Sequence, residues 1–315
     1  MYYIGIDLGG TNVAAGVTDK EGRLLGKASI PCPRGAEAIA DAMAESVRLA
    51  VHEAELTLDQ CGSVGVASPG TIDPEKGIVF HAFNLGLDHV PLAQMVSDRL
   101  GGIPTLLEND ANAAALGEYV SGAGKGKNSL VAITLGTGLG SGAVLEGKLY
   151  TGFNYAAFES GHMVIHRGGR ACTCGRKGCW EAYASATGLI RSAREAMETH
   201  PDSALWKLAP TLEDVDGKTS FDAAQGGDAV AQAVLDEYVE DLCCGLANLI
   251  NVLQPEVLCV GGGVSRQGEA LLGPVRAVLD REEFTRDSTR RTKVCTAQLG
   301  NDAGIVGAAL VPVYR

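Results

Sequence analysis

The sequence has no segment that would direct the chain to a membrane or hold it there. Its first residues, MYYIGIDLGG, have neither the basic start nor the long apolar stretch of a signal peptide, and no window reaches the roughly 18 apolar residues of a membrane span. Positive charge is also scarce, because 26 Lys and Arg stand against 38 Asp and Glu, a formal net charge of −12. Nucleic acids and anionic lipids attract basic surfaces. We therefore expect a cytoplasmic protein that binds neither.

A disulfide framework is also missing. The nine cysteines are odd in number and spread from Cys32 to Cys295, a pattern that a reducing cytosol would leave unpaired. Most of them, Cys243 and Cys244 included, are expected to be small core residues. With 315 residues and 46% hydrophobic content, the chain can bury a large core, and its length suggests about two domains.

The order of apolar runs indicates an α/β enzyme. YYIGIDLG, VAAGVTD and RLLGKASI predict an antiparallel meander, and residues 36–54 predict a helix. SVGVASPG and IPTLLEND predict strands that end in polar loops, and the helix ANAAALGEYV follows the second. SLVAITLGTGLGSGAVLEG repeats the pattern of two strands around a Gly/Thr turn, which suggests two related halves. A long apolar helix ends before Pro255, the strand EVLCVGGGV follows, and residues 303–312 predict a last helix.

Three glycine-rich turns are candidate ligand-binding loops, and the first two are candidate phosphate loops. DLGGTN can bring backbone N–H groups close to a phosphate, while Asp7 could orient Mg²⁺. It is neither a Walker A loop, since no G-K-[ST] follows, nor a Rossmann fingerprint, since a strand follows. A plain hairpin turn is the alternative. TLGTGLGSG repeats the arrangement in the second half, so the two turns could clamp phosphates from both sides. GGGVS lies after a strand and before a helix, where it would meet a ligand at the carboxyl end of a sheet, and a structural turn is the alternative.

Asp110 is the candidate general base. ENDANAAALGE places it where a buried strand meets a helix. An aspartate there is often only an N-cap. Between phosphate loops, however, it could also accept a hydroxyl proton as the oxygen attacks phosphorus.

The stretch ESGHMVIHRGGRACTCGRKGCWE gathers three cysteines and two histidines between two glutamates. Cys-x-Cys-x4-Cys, with a histidine ten residues upstream, supplies three thiolates and one imidazole. That is a complete tetrahedral zinc set and predicts a structural site. The usual C-x2-C spacing is not met, so a redox or free-thiol cluster stays open. His166 lies outside the pattern and is expected at the surface.

In order, DLGGTN, ENDANAAALGE, GTGLGSG, ESGH and CTCGRKGCWEAYAS resemble the motifs of the ROK family of repressors, uncharacterised open reading frames and sugar kinases. The match is closest to its bacterial kinases that act on glucose, and it extends to NDAGIVGAAL near the C-terminus. The resemblance implies the actin-like/hexokinase ATPase fold, which is ribonuclease H-like, with two domains and an interdomain cleft. The smaller domain would comprise residues 1–118 plus 301–315, and residues 119–300 would form a larger domain carrying the zinc site.

The resemblance further implies an ATP:hexose phosphotransferase of carbohydrate metabolism that makes glucose 6-phosphate, with Asp110 as general base. It implies structural Zn²⁺, Mg²⁺ with ATP, and a homodimer or homotetramer. The implied sugar-binding residues are Pro69, Gly70, Asn84, Asn109, Asp110, Glu159, His162 and Glu181. The implied ATP-binding residues are Asp7, Gly9, Gly10, Thr11, Asn12, Gly136, Thr137, Gly138, Gly262 and Gly263. The implied zinc ligands are His162, Cys172, Cys174 and Cys179, with the second ring nitrogen of His162 contacting the sugar.

Two residues depart from the family pattern. Members usually have Gly-Gly or Ala-Gly before the glutamate of ESGH and a bulky apolar residue after it, whereas Phe158 and Ser160 stand here. The accepted sugar could therefore be N-acetylmannosamine, N-acetylglucosamine, mannose or fructose instead of glucose. Repressors of the family carry an N-terminal helix-turn-helix, for which there is no room before the first phosphate loop. A non-catalytic sugar sensor would have lost the base. We therefore expect an enzyme and not a regulator.

Overall fold

The computed structural model describes residues 1–314. The strands are β1 (Tyr2–Leu8), β2 (Asn12–Thr18), β3 (Leu24–Pro31), β4 (Cys61–Ser68), β5 (Thr71–Asp73), β6 (Ile78–Ala82), β7 (Leu87–Val90), β8 (Thr105–Asn109), β9 (Leu130–Leu135), β10 (Leu139–Leu145), β11 (Lys148–Leu149), β12 (Val257–Gly261) and β13 (Lys293–Thr296). The helices are α1 (Ala36–Glu53), α2 (Leu92–Arg99), α3 (Asp110–Ser121), α4 (Glu181–Ala184), α5 (Ala186–Thr199), α6 (Leu205–Leu208), α7 (Thr219–Gln225), α8 (Ala229–Leu253), α9 (Glu269–Glu282) and α10 (Ala303–Tyr314).

The first sheet has the strand order β3-β2-β1-β4-β8. Strands β1, β2 and β3 form the predicted antiparallel meander, while β4 runs parallel to β1 and β8 runs parallel to β4. Because β1, β4 and β8 are parallel, the polar residues that follow them gather at one edge of the sheet. The order of the strands thus places Asp7, Pro69 and Asp110 at neighbouring strand ends.

The C-terminal helix α10 lies directly against this sheet. A Cβ added to Gly5 of β1 would lie 1.8 Å from the Ile305 carbonyl oxygen, and one added to Gly65 of β4 would lie 1.8 Å from that of Ala308. Only glycine permits such an approach, so these two positions fix where the helix crosses the strands. The helix was predicted for residues 303–312, but it continues to Tyr314 with Pro312 inside it.

The second sheet has the order β11-β10-β9-β12-β13, with β12 and β13 parallel. A third, small antiparallel sheet, β5-β6-β7, occupies the segment between β4 and α2. This sheet was not predicted from the sequence, because its strands are only three to five residues long and carry little periodicity. Its turn residues Phe83–Leu85 present Asn84.

The chain divides into two compact units, residues 1–132, 142–158 and 298–315 in one and residues 133–141 and 159–297 in the other. The predicted smaller domain omitted residues 119–132 and 142–158, which fall in the first unit. Within that unit, Val144 and Leu149 are buried in one apolar cluster with Leu116 of α3 and with Val306 and Leu310 of α10. These contacts explain why the segment belongs with the N-terminal sheet.

The prediction that both cysteines of α8 lie in the core is wrong for one of them. Cys243 is buried, whereas Cys244 is exposed. Successive residues of a helix point about 100° apart, and the buried face of α8 includes Leu242 and Cys243 but not Cys244. Among residues 1–314, no helix is both long and apolar enough to cross a membrane.

Candidate active site

The β1–β2 turn has the geometry of an open hairpin loop. The Gly9 amide donates to the Asn12 carbonyl oxygen at 3.0 Å, and the Thr11 carbonyl oxygen accepts from the Cys32 amide at 2.8 Å. Gly10, Thr11 and Asn12 are exposed. The turn therefore leaves backbone and hydroxyl groups accessible to a ligand, as a phosphate loop requires.

Asp7, at the end of β1, carries a strongly perturbed carboxyl group. Burial and the negative charge of Asp110 raise its pKa to about 6, while the charge of Lys27 acts in the opposite direction. Gly304, in the first turn of α10, makes room for the group: a Cβ there would lie 2.9 Å from Asp7 Oδ2. Two interacting carboxyl groups concentrate negative charge at this strand edge, and that arrangement fits a cation.

Asp110 is the first residue of α3 and is exposed. The helix cap is supplied by Asn109 instead, whose Oδ1 accepts from the amides of Ala111 at 2.9 Å and Asn112 at 3.1 Å. Asp110 Oδ1 accepts from the Ala111 amide at 2.8 Å. Asn109, and not Asp110, is therefore the N-cap residue of α3. The Asp110 carboxylate is exposed to solvent, where a substrate hydroxyl could reach it.

Three further predicted sugar contacts lie in the same compact unit. Ser68 is the register partner of Asn109. Pro69 and Gly70 follow Ser68 and therefore lie close to the end of β8, where Asn109 and Asp110 are. Gly70 has φ +85°, and a Cβ there would lie 2.0 Å from the His81 carbonyl oxygen. Asn84 Nδ2 lies 3.5 Å from the Cβ position of Gly10. Asn84 is therefore next to the first glycine turn.

The second glycine turn, in the other unit, directly supports Glu181. The Gly136 amide donates to the Gly138 carbonyl oxygen at 3.0 Å, and the Leu139 amide donates to Glu181 Oε2 at 2.9 Å. A Cβ on Gly138 would lie 2.5 Å from the same carboxylate oxygen. The predicted ATP loop and a predicted sugar ligand are therefore in contact, which the sequence did not indicate.

Gly262 and Gly263 follow β12 and are exposed. Gly262 has φ +85°, and a Cβ there would lie 2.4 Å from the Leu135 carbonyl oxygen. Leu135 immediately precedes Gly136. The two predicted ATP-binding segments of this unit are therefore neighbours, and the glycine is needed for their close approach.

The predicted zinc ligands converge. One ligand atom from each of His162, Cys172, Cys174 and Cys179 lies within 4.8 Å of all the others. Cys174 Sγ and Cys179 Sγ are 3.7 Å apart, and Cys172 Sγ is 3.6 Å from His162 Nδ1. A tetrahedral ion with Zn–S bonds of about 2.3 Å requires sulfur atoms about 3.8 Å apart. The residues present fit zinc.

His162 is oriented by this cluster through Nδ1, which leaves Nε2 for another contact. It ends the single turn Ser160–His162, and its amide donates to the Glu159 carbonyl oxygen at 3.1 Å. Glu159 is exposed. His166 is exposed, as predicted, and its Nε2 lies 2.6 Å from Asp241 Oδ1.

The two residues that depart from the family pattern have structural consequences that the sequence alone did not reveal. Phe158 has φ +68°, the left-handed region in which glycine is favoured. Ser160 is buried, and its Oγ lies 2.5 Å from Ser141 Oγ in β10. A bulky apolar side chain would have to displace that hydrogen bond. The residue that follows Glu159 is therefore part of a buried serine pair.

A family model matches residues 3–312 and is described as the ROK family. The chain belongs to the ROK family. It is 40% identical to a glucokinase of Streptomyces coelicolor, over 97% of this chain and 96% of that one, and 40% identical to a glucokinase of Thermotoga maritima, over 98% and 96%. The structure of a ROK family glucokinase from Streptomyces griseus in complex with glucose and AMPPNP superimposes with a TM-score of 0.81, at 39% identity and 98% coverage of both chains.

Full-length similarity to solved ROK kinases also confirms the predicted fold class. The chain has the two-domain actin-like ATPase fold of the ROK family.

Proposed function

We propose that this chain transfers the γ-phosphoryl group of ATP to the 6-hydroxyl of glucose, with Asp110 as general base. The chain is a ROK hexose kinase of the glucokinase type. The observation that carries the assignment is its 40% identity to glucokinases over nearly the full length of both chains. An exposed aspartate at the β8–α3 corner supports the assignment, because it supplies the one proton acceptor that the reaction needs.

Asp110 takes the proton of the 6-hydroxyl as that oxygen attacks the γ-phosphorus. The bond from the γ-phosphorus to the bridging oxygen of ADP breaks, and the proton remains on the carboxyl group until solvent removes it. General-base catalysis of this kind contributes on the order of 10²- to 10⁴-fold. Because Asn109 caps α3, the Asp110 carboxylate is not required to hold the helix end and can serve the reaction.

Sugar binding is assigned to side chains that the fold holds in place. Asn109 uses Oδ1 for the helix cap, so its Nδ2 is the group that donates to a sugar oxygen. Glu181 Oε2 accepts from the Leu139 amide, which fixes the carboxylate while Oε1 faces the cysteine cluster at 3.7 Å from Cys172 Sγ. Asn84, Glu159 and His162 are the other polar side chains assigned to the sugar. The Pro69–Gly70 backbone is assigned to one edge of the sugar site.

ATP binding is assigned to the glycine turns. Gly9, Gly10, Thr11 and Asn12 in one unit, and Gly136, Thr137 and Gly138 in the other, offer backbone N–H and hydroxyl groups to the phosphates. Gly262 and Gly263 are assigned to the adenosine. Mg²⁺ bound with ATP supplies positive charge at the phosphates, and Asp7 is the residue assigned to orient it.

The cysteine cluster is assigned to structural zinc. Three thiolates and one imidazole fill a tetrahedral shell, so the ion has no open position for chemistry. Its role is to hold the 159–181 segment, and with it His162 and Glu181. The assignment to a homodimer or homotetramer in the cytoplasm rests on resemblance to the family alone.

A coupled ADP-release assay under saturating ATP tests the substrate. We expect kcat/KM for glucose to exceed that for mannose, fructose, N-acetylglucosamine and N-acetylmannosamine by about 10- to 100-fold, because a misplaced hydroxyl leaves buried polar groups unpaired. An N-acetylated sugar with the highest kcat/KM would assign Phe158 and Ser160 to a pocket for the 2-acetamido group. That result would preserve the kinase but refute glucose as its substrate.

A further inference from the structure

A second cluster of metal-ligating side chains lies on the β6–β7 hairpin, apart from the cysteine site. His81 Nδ1 is 2.9 Å from Asp88 Oδ1, and His89 Nδ1 is 2.8 Å from the same oxygen. The two imidazole centroids are 5.3 Å apart. All three side chains are exposed. The two Nδ1 atoms therefore converge on a single carboxylate oxygen at the protein surface.

The backbone builds this convergence. His81 and Asp88 are register partners across the hairpin, so they share one face of the small sheet. His89 follows Asp88 and in a regular strand would point to the opposite face. Its φ of +53° breaks the alternation, and its imidazole turns toward the other two residues. L side chains rarely adopt this conformation, and such outliers are concentrated at ligand-binding sites.

Aromatic rings support both imidazoles. The Phe83 ring stacks on His81 with centroids 5.5 Å apart and an interplanar angle of 1°. The Phe80 ring packs on His89 in an edge arrangement, with centroids 5.4 Å apart. Phe83 is 89% exposed, so its stacking covers one face of His81 without burying the hairpin. The rings restrict the rotation of both ligands, which lowers the entropy cost of binding.

We propose that His81, Asp88 and His89 form a surface site for a divalent transition metal such as Zn²⁺, Ni²⁺ or Cu²⁺. Two imidazole nitrogens and one carboxylate oxygen are a donor set that these ions accept. The three ligand atoms lie within 4.8 Å of one another, close enough for one ion with bonds of about 2.0–2.2 Å. The metal takes the place of the protons that now join the imidazoles to Asp88, and its remaining coordination positions are open to water.

The ion would link β6 to β7, the two strands that flank the turn carrying Asn84. The His81 carbonyl oxygen also lies against Gly70, whose added Cβ would be 2.0 Å away. Metal binding therefore restrains the segment that holds two predicted sugar contacts, and we expect it to change the KM for glucose. This consequence, unlike the site itself, rests on the proposed function.

Isothermal titration of untagged, zinc-loaded protein with NiCl₂ tests the site without sugar or ATP. We expect one Ni²⁺ per chain, and at least about a 10-fold weaker affinity in His81→Gln and in His89→Asn. Asparagine tolerates the left-handed conformation, so His89→Asn removes the imidazole and keeps the hairpin. His52→Gln, which alters an exposed histidine at the end of α1, is the matched control and should bind as the wild type does.

Hydrogen exchange provides the second measurement. Ni²⁺ should slow exchange of the amides of residues 79–90 in the wild type but not in His89→Asn. Absence of Ni²⁺ binding, or equal binding by the wild type and His89→Asn, would overturn the proposal. If Ni²⁺ binds as expected while the KM for glucose is unchanged, the metal site stands and the link through Asn84 is wrong.

Discussion

Replacing Asp7 with asparagine should stabilise the folded protein above pH 6, even though it removes a residue assigned to the phosphate site. The folded protein holds the pKa of this carboxyl group at about 6, against an ordinary value of 3.8. In the unfolded chain the group titrates near its ordinary value. The folded state therefore binds the proton more tightly, and wild-type stability falls as pH rises between the two values.

The size of the effect follows from the shift. A pKa raised by about 2 units corresponds to about 3 kcal/mol, at roughly 1.4 kcal/mol per unit. The wild type carries this penalty in full above about pH 6 and loses it below about pH 3, where the carboxyl group is protonated in both states. Asp7→Asn has no such titration, so its advantage over the wild type should grow from about 0.5 kcal/mol at pH 4 to about 3 kcal/mol at pH 7, reduced by the contribution of any hydrogen bonds that the carboxylate makes.

Urea unfolding of both proteins at intervals from pH 4 to pH 8 measures the difference. Asp110→Asn is an informative second variant, because the charge of Asp110 helps to raise the pKa of Asp7 in the folded protein. In this variant the loss of stability with rising pH should be smaller than in the wild type and should end at a lower pH. The exposed Asp202→Asn is the control and should change stability by about 0.5 kcal/mol or less. A difference between Asp7→Asn and the wild type that does not vary with pH would refute the electrostatic reasoning.

Three further outcomes are expected. Asp110→Asn should lower turnover by at least about 100-fold with little change in glucose affinity measured by calorimetry, because asparagine cannot accept the proton; near-normal turnover would exclude it as the base. Metal analysis should find about one zinc per chain at the cysteine cluster. Cys174→Ser should lose the zinc and have lower stability and lower sugar affinity, whereas Cys244→Ser should keep the zinc and both properties. Full activity of metal-free protein would contradict this expectation. Gly138→Ala should raise the KM for glucose, because its Cβ would lie 2.5 Å from Glu181 Oε2; unchanged kinetics would separate the turn from sugar binding.

The amino-acid sequence by itself determined the family, the fold class and the local features of the site. The meander, the β8–α3 corner and the two glycine turns each occupy a short continuous stretch, so the pattern of apolar and turn residues indicates them directly. The grouping of His162, Cys172, Cys174 and Cys179 could also be predicted, because these residues are close in sequence and their ligand atoms converge. That they bind zinc stays a prediction. The third sheet and the left-handed turn at His89 were not predicted, because three- to five-residue strands carry too little periodicity.

Tertiary structure decided the properties that depend on residues far apart in the chain. The raised pKa of Asp7 requires β1, the start of α3 and the first turn of α10 to meet. Glu181 is held by the Leu139 amide, 42 positions earlier. Burial and electrostatic coupling depend on the packing of whole elements, and no local pattern of residues specifies that packing.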